Sequence, residues 1–186
     1  TLMGLGAFPG NHPLWLGMPG MHGTVAANRA IHHADVILAI GLRFDDRVTG
    51  KVSRFAPHAH TIIHVDIDPA EIGKVVRTHI PIVGDSRLVL KELLKGAKAL
   101  RLAAWWRELE EWRTRYPLRY RPKPHLQSQE VIRAFYEATG GHAIVTTGVG
   151  QHQMFAAQFF PVTRPRSFLT SGGLGTMGVG LPFAIG

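Results

Sequence analysis

The chain has 186 residues, 45% of them apolar, with no cysteine and a formal charge of +8. That length and apolar share fit one large domain or two small ones and argue against disorder, while the missing thiols exclude a disulfide framework, a thiolate metal site and a cysteine nucleophile. The charge does not mark a nucleic-acid binder: many of the basic residues lie between Lys91 and Lys123, interleaved with Glu92, Glu108, Glu110 and Glu111 as on a solvated helical face, and no nucleic-acid motif accompanies them. No apolar run approaches the roughly 20 residues a membrane span needs, and no charged-then-apolar leader opens the chain. A cytoplasmic protein with neither membrane nor nucleic acid among its partners is expected. The histidines are scattered, and His32-His33 lacks the i, i+4 spacing of a helical metal pair, so no metal ligand is assigned. Both ends fall inside apolar, glycine-containing stretches, which reads as an internal piece of a longer polypeptide.

In chain order, Thr1 to Phe8 reads as a short strand and Pro9 to Gly23 as a loop punctuated by Pro13, Gly17, Pro19 and Gly20. The loop ends in Gly20-Met21-His22-Gly23-Thr24 and opens onto a helix from Val25. A helix N-terminus behind a glycine-rich loop favours an anion, although Thr24 would serve equally as an ordinary N-cap. Ala34 to Ile40 is an apolar run that fits a parallel strand buried on both faces. It delivers Gly41-Leu42-Arg43-Phe44-Asp45-Asp46-Arg47, four charged groups in quick succession after a strand, where open α/β sheets bind ligands. The alternative is a surface turn whose Arg43, Asp45, Asp46 and Arg47 pair with one another in water.

Thr61 to Asp68 reads as the next strand, apolar until it ends in two acids, with a short helix starting at Pro69. A carboxylate at a strand end can accept two hydrogen bonds from a ribose diol; Asp66 suits that role, and Asp68 suits a helix N-cap. A third strand, His79 to Val83, ends in Gly84-Asp85-Ser86 and precedes leucines at helical spacing. The three strand ends converge on one edge if the sheet is parallel and doubly wound. Ala97 to Tyr116 is an amphipathic connector whose Trp105, Trp106 and Trp112 suit packing against a neighbouring domain more than base stacking.

Pro117, Pro122 and Pro124 mark a boundary. A second α/β unit follows: a helix over Gln127 to Thr139, a strand over Ala143 to Thr147 ending in Gly148-Val149-Gly150-Gln151-His152-Gln153, a helix from Met154 to Phe159, a strand from Arg166 to Thr170, and the loop Ser171 to Gly178. Glycine loops after strands cradle phosphates or flat heterocycles by backbone contact, and tight turns use glycine for the same freedom. The division expected is 1–100 for a nucleotide-binding-type domain, 101–126 for a helical, proline-containing linker, and 127–186 for the start of a second domain.

Five motifs in order, Gly20 to Thr24, Gly41 to Gly50, His64 to Asp68, Gly148 to Met154 and Ser171 to Gly178, resemble those of the acetolactate synthase (acetohydroxyacid synthase) large-subunit family of thiamine-diphosphate-dependent enzymes. The likeness runs nearly the whole length and is weakest from about Leu100 to Gln127. Departures are Phe155, where relatives carry a larger aromatic, and Met18-Pro19 ahead of the glycine run. The resemblance implies a doubly wound central domain followed by the opening of the thiamine-diphosphate domain. It implies FAD contacts at Gly20, Met21 and His22, at Gly41, Leu42, Arg43, Phe44 and Asp45, at Asp66 and Ile67, and at Asp85 and Ser86. Arg47 would hold the second keto acid's carboxylate, and Gln151, His152, Gly175, Thr176 and Met177 would border thiamine diphosphate.

The implied reaction decarboxylates pyruvate on the thiazolium carbon and condenses the resulting carbanion equivalent with a second 2-keto acid, giving 2-acetolactate or 2-aceto-2-hydroxybutyrate for branched-chain amino acid synthesis. FAD does no net redox work in this family. The implied assembly is a homodimer or higher homo-oligomer with active sites between subunits, and a regulatory small subunit is a further implied partner. The glutamate that activates thiamine and the Gly-Asp-Gly motif that carries Mg2+ would both lie outside these 186 residues, so the chain by itself is expected to be inactive. Two other readings remain, a glyoxylate carboligase-like enzyme and a non-catalytic nucleotide-binding module.

Overall fold

A computed structural model describes residues 1–186. The chain forms two compact units, one of residues 19–21 and 25–117, the other of residues 1–18, 22–24 and 118–186.

The first unit is built on three parallel strands in chain order, β1 (Val36–Ile40), β2 (Thr61–Asp66) and β3 (Ile80–Val83). Helix α1 (Val25–His33) precedes β1, α2 (Asp46–Thr49) is a single turn after it, and α3 (Ser86–Gly96) and α4 (Ala103–Arg115) follow β3. The register sets Ala39 beside His64 and His64 beside Pro81. Pro81 has no N–H to donate and stands on an edge strand, where its missing donor does least harm. The core gathers Ala39, Phe44, Ile62 and Val76, with Ile37, Leu42, Phe55 and Ala59 against them. His64 is completely buried there, its ring 5.0 Å from that of Phe44, and neither ring nitrogen has a hydrogen-bond partner.

Two expectations are corrected in this unit. β1 is not buried on both faces: Ala39 is 3% exposed but Val36 and Leu38 are 52% and 45% exposed, as suits an edge strand. No helix follows Pro69. Asp68 Oδ1 instead accepts from the Ala70 N–H in a local turn, and Gly73, at φ +73°, ends the segment before a helix could nucleate. The connector packs on the preceding domain through Trp112, as its aromatic spacing indicates. Trp112, 5% exposed, lies 5.2 Å from the ring of His33 on α1, and Arg29 of α1 stands over both Trp112 and Tyr116.

The second unit pairs β4 (Val145–Thr147) with β5 (Phe168–Thr170) in parallel and carries α5 (Ser128–Ala138), α6 (Gln151–Phe159) and α7 (Gly180–Ile185). At the start of α5 the Gln127 N–H donates to the Glu130 carboxylate, reaching back across the first turn. Val145, Phe160 and Val162 form the core, with Leu5, Ile132, Tyr136 and Phe168 packed on it. Thr1 to Phe8 is not a strand. It forms one 3-10 turn, Leu2–Gly4, and a lone bridge between Leu5 and Phe8. Gly6 packs so closely on Arg164 that an added Cβ would lie 2.4 Å from its carbonyl oxygen, a contact that turns the segment away from regular pairing.

Both sheets are parallel and α/β, as the sequence indicates, and no helix is long and apolar enough to cross a membrane. Trp112→Ala should remove about 3 kcal/mol of the first unit's stability in urea unfolding; a loss under about 0.5 kcal/mol, typical of a surface position, would show that α4 contributes nothing to this core.

Candidate functional site

Parallel pairing places all three strand ends of the first unit on one edge. The Gly41 N–H donates to Val65 O at 2.8 Å and the Gly84 N–H to Asp66 O at 2.9 Å, so each turn leaves its strand beside the next. Gly41 has φ +58°, and a Cβ there would meet nothing within 4 Å. Its glycine therefore serves the turn and leaves the backbone open to a ligand. Phe44 also has positive φ, +55°, a conformation costly for a side chain, and its 1% exposed ring is fixed against Phe55 and His64.

Asp45 caps α2 by accepting the N–H groups of Arg47 and Val48. Arg43 pairs with Asp45 at 3.4 Å, and Arg47 with Asp46 at 2.8 Å, all four side chains being substantially exposed. These are the surface pairs that the sequence also allows. Such exposed pairs are worth little, so either guanidinium can be surrendered to a better anion. Asp66 Oδ1 accepts from the Asp68 N–H at 2.9 Å, leaving Oδ2 for an incoming hydroxyl. Asp85 caps α3, its Oδ1 accepting from the Arg87 and Leu88 N–H groups. Its structural duty was not anticipated, and Ser86 opens the helix beside it.

The glycine loop reaches this edge through Gly20 and Met21. The Met21 N–H donates to Arg47 O at 2.8 Å, and Met21 and Ile67 expose 67% and 71% of their surface. His22 belongs to the other unit, where its carbonyl accepts from Gln158 Nε2. The three-stranded edge thus combines open backbone, apolar side chains and a carboxylate oxygen suited to a diol. This donor set fits a dinucleotide.

In the second unit, Gly150 (φ +146°) starts α6 three residues earlier than the periodicity suggests, so Gln151 and His152 lie in its exposed first turn. The His152 imidazole covers Gly148 and Gly150, where an added Cβ would lie 3.2 and 3.3 Å from ring atoms. In the second loop the Thr176 N–H donates to Ser171 Oγ, Met177 is 75% exposed, and Gly175 has φ +68° with space beside it. This border can receive a flat heterocycle through backbone, imidazole and thioether. No group of three or more His, Cys, Asp or Glu in the chain could hold a metal ion.

Sequence reasoning missed what joins these two loops. Thr147 and Thr170, the last residues of β4 and β5, meet hydroxyl to hydroxyl at 2.7 Å, and Gln153 of α6 donates to Thr170 Oγ1 at 2.7 Å, all buried. The visible signal was a threonine ending each strand. Gly180 also packs on the first loop, where an added Cβ would lie 2.5 Å from Gly148 N.

Parallel α/β units whose strand ends carry glycine turns are the architecture of nucleotide- and cofactor-binding proteins, with the ligand at the carboxyl ends of the strands. The family model for the thiamine pyrophosphate enzyme, central domain, matches residues 1–93, and that for the C-terminal TPP binding domain matches residues 148–186. The chain belongs to the thiamine pyrophosphate enzyme family. Over its whole length it is 50% identical to acetolactate synthase isozyme 3 large subunit of Escherichia coli and 51% identical to the acetolactate synthase large subunit of Corynebacterium glutamicum. It is also 51% identical to acetolactate synthase 1, chloroplastic, of Zea mays. It covers 34%, 31% and 30% of these three, so it spans about a third of the length of the curated relatives it matches.

Thr170→Val should strip the buried Gln153 amide and the Thr147 hydroxyl of their shared partner and cost about 1–3 kcal/mol. It should also speed proteolysis within 171–178; unchanged stability and cleavage would show that the network does not hold the loops.

Proposed function

We propose that the chain is part of an acetolactate synthase, with FAD on the three-stranded edge and thiamine diphosphate bordered by the second unit. The observation that carries this is the alignment of Gly41 to Arg47, Asp66 and Asp85 on one parallel edge, in a chain half identical to three such synthases throughout its length. Thiamine diphosphate, when bound, supplies the chemistry that decarboxylates a 2-keto acid and makes its carbonyl carbon nucleophilic. Gln151, His152, Gly175, Thr176 and Met177 position that cofactor and shield one side of it from water.

Arg47 receives the carboxylate of the second keto acid by exchanging its exposed pair with Asp46 for a bidentate grip. On the three-stranded edge Gly41 to Asp45, Gly20 and Met21 follow the flavin by backbone and apolar contact, Ile67 adds an apolar wall, and Asp66 accepts from a hydroxyl. Asp85 and Ser86 present the start of α3, and His22 belongs to the same glycine loop. The flavin is structural in this reading. Mg2+ would be held by residues beyond these 186, and the complete enzyme acts as a cytoplasmic homo-oligomer with a regulatory small subunit. The domain division at 1–100, 101–126 and 127–186 belongs to the same proposal. Pyruvate is the donor substrate, and Asp45-Asp46-Arg47 favours this reading over a carboligase acting on glyoxylate.

The purified complete enzyme should be yellow, release flavin on denaturation and prefer pyruvate to glyoxylate, whereas the 186-residue chain alone should form no acetolactate. Arg47→Ala in the complete enzyme should raise KM for the second keto acid roughly tenfold to a hundredfold, the equivalent of one charged hydrogen bond, with flavin retained. Lost flavin with unchanged kinetics would reverse the assignment of Arg47, and a preference for glyoxylate would overturn the choice of reaction.

A further inference from the structure

We infer that Asn28 is a positioning residue that fixes Arg47 through Gly20, an inference resting on the role just proposed for Arg47. Asn28, the fourth residue of α1, turns its carboxamide back onto both backbone polar groups of a single residue, Gly20. Its Oδ1 accepts from the Gly20 N–H at 2.7 Å and its Nδ2 donates to Gly20 O at 2.9 Å. Both bonds form in only one orientation of the amide, so the side chain reads the direction of the Gly20 backbone.

On its other side Gly20 meets the main chain of α2. It has φ +95°, and an added Cβ would lie 2.2 Å from Arg47 O and 2.9 Å from Val48 Cα. The next residue then bonds there, Met21 N–H to Arg47 O at 2.8 Å. Residues 20–21 are thus held between the Asn28 carboxamide and the Arg47–Val48 backbone. The helix that carries Arg47 is four residues long, too short to hold its own conformation. Its direction is set by the Asp45 cap on one side and by this contact on the other.

Exposure separates positioning from mere support. Asn28, Arg47 and Met21 are all exposed, so loss of the clamp removes little buried surface and should leave the fold standing. What it removes is the register between the glycine loop and the guanidinium. A bidentate grip on a carboxylate is sensitive to such displacement.

The test uses the complete enzyme, with Asn28→Ala, Asn28→Asp and Arg47→Ala compared side by side. Asn28→Asp keeps an acceptor for the Gly20 N–H but sets a carboxylate oxygen against Gly20 O. Both Asn28 variants should raise KM for the second keto acid roughly tenfold, the equivalent of two exposed neutral bonds, with kcat changed less than about twofold. Combining Asn28→Ala with Arg47→Ala should add no further rise, because the two act on one interaction. If Arg47→Ala raises KM and both Asn28 variants leave it unchanged, the inference fails while the role of Arg47 stands. If Arg47→Ala has no effect, that role fails and the inference with it. A fall in Tm and kcat with KM unmoved would make Asn28 merely structural and also overturn the inference; should Asn28→Ala not fold, Asn28→Asp decides.

Discussion

Two main-chain hydrogen bonds set the geometry on which the first unit depends, Gly41 to Val65 and Gly84 to Asp66. They extend the parallel ladder one residue past the strands and so keep neighbouring turns level. A slip of one residue in β2 would send Asp66 to the opposite face and bring Ile67 into its place. The acid, the glycine turn and the α3 cap would then no longer share an edge. Register, more than any single side chain, brings these candidate residues together.

The second unit reaches a comparable result with side chains. Its sheet has two short strands, too few for ladder bonds to hold two loops level. The Thr147, Thr170 and Gln153 bonds tie the strand ends to the helix that leaves the first loop. Buried polar bonds of this kind are stringent because an unmade one is costly. They fix position where a larger core would otherwise do so.

Local regularities made much of this legible. Strand periodicity located β2 and β3 to within a residue or two, and leucine spacing located α3. The acids and glycines after strands marked the edge. Contacts distant in sequence remained hidden. Thr1 to Phe8 has an apolar composition that suits a strand, but Gly6 is pressed on Arg164, far along the chain. The start of α6 was obscured because Gly150 lacks a capping side chain and Gln151 and His152 are exposed, leaving no apolar signal. Asn28 gives no signal in the sequence, since its partners are the N–H and carbonyl of Gly20 and a backbone contact is not encoded by residue type.

His64 carries a different consequence. A buried imidazole with no hydrogen-bond partner at either nitrogen has given up its hydration without recompense. Its ring packs nearly perpendicular to that of Phe44, which holds a left-handed backbone angle at the turn after β1. Local preference and global fold therefore disagree at two touching residues, a small island of frustration in an otherwise consistent sheet. Such islands concentrate where a backbone must be held in a shape it would not choose. Here the discord lies directly beneath the turn that presents Arg47.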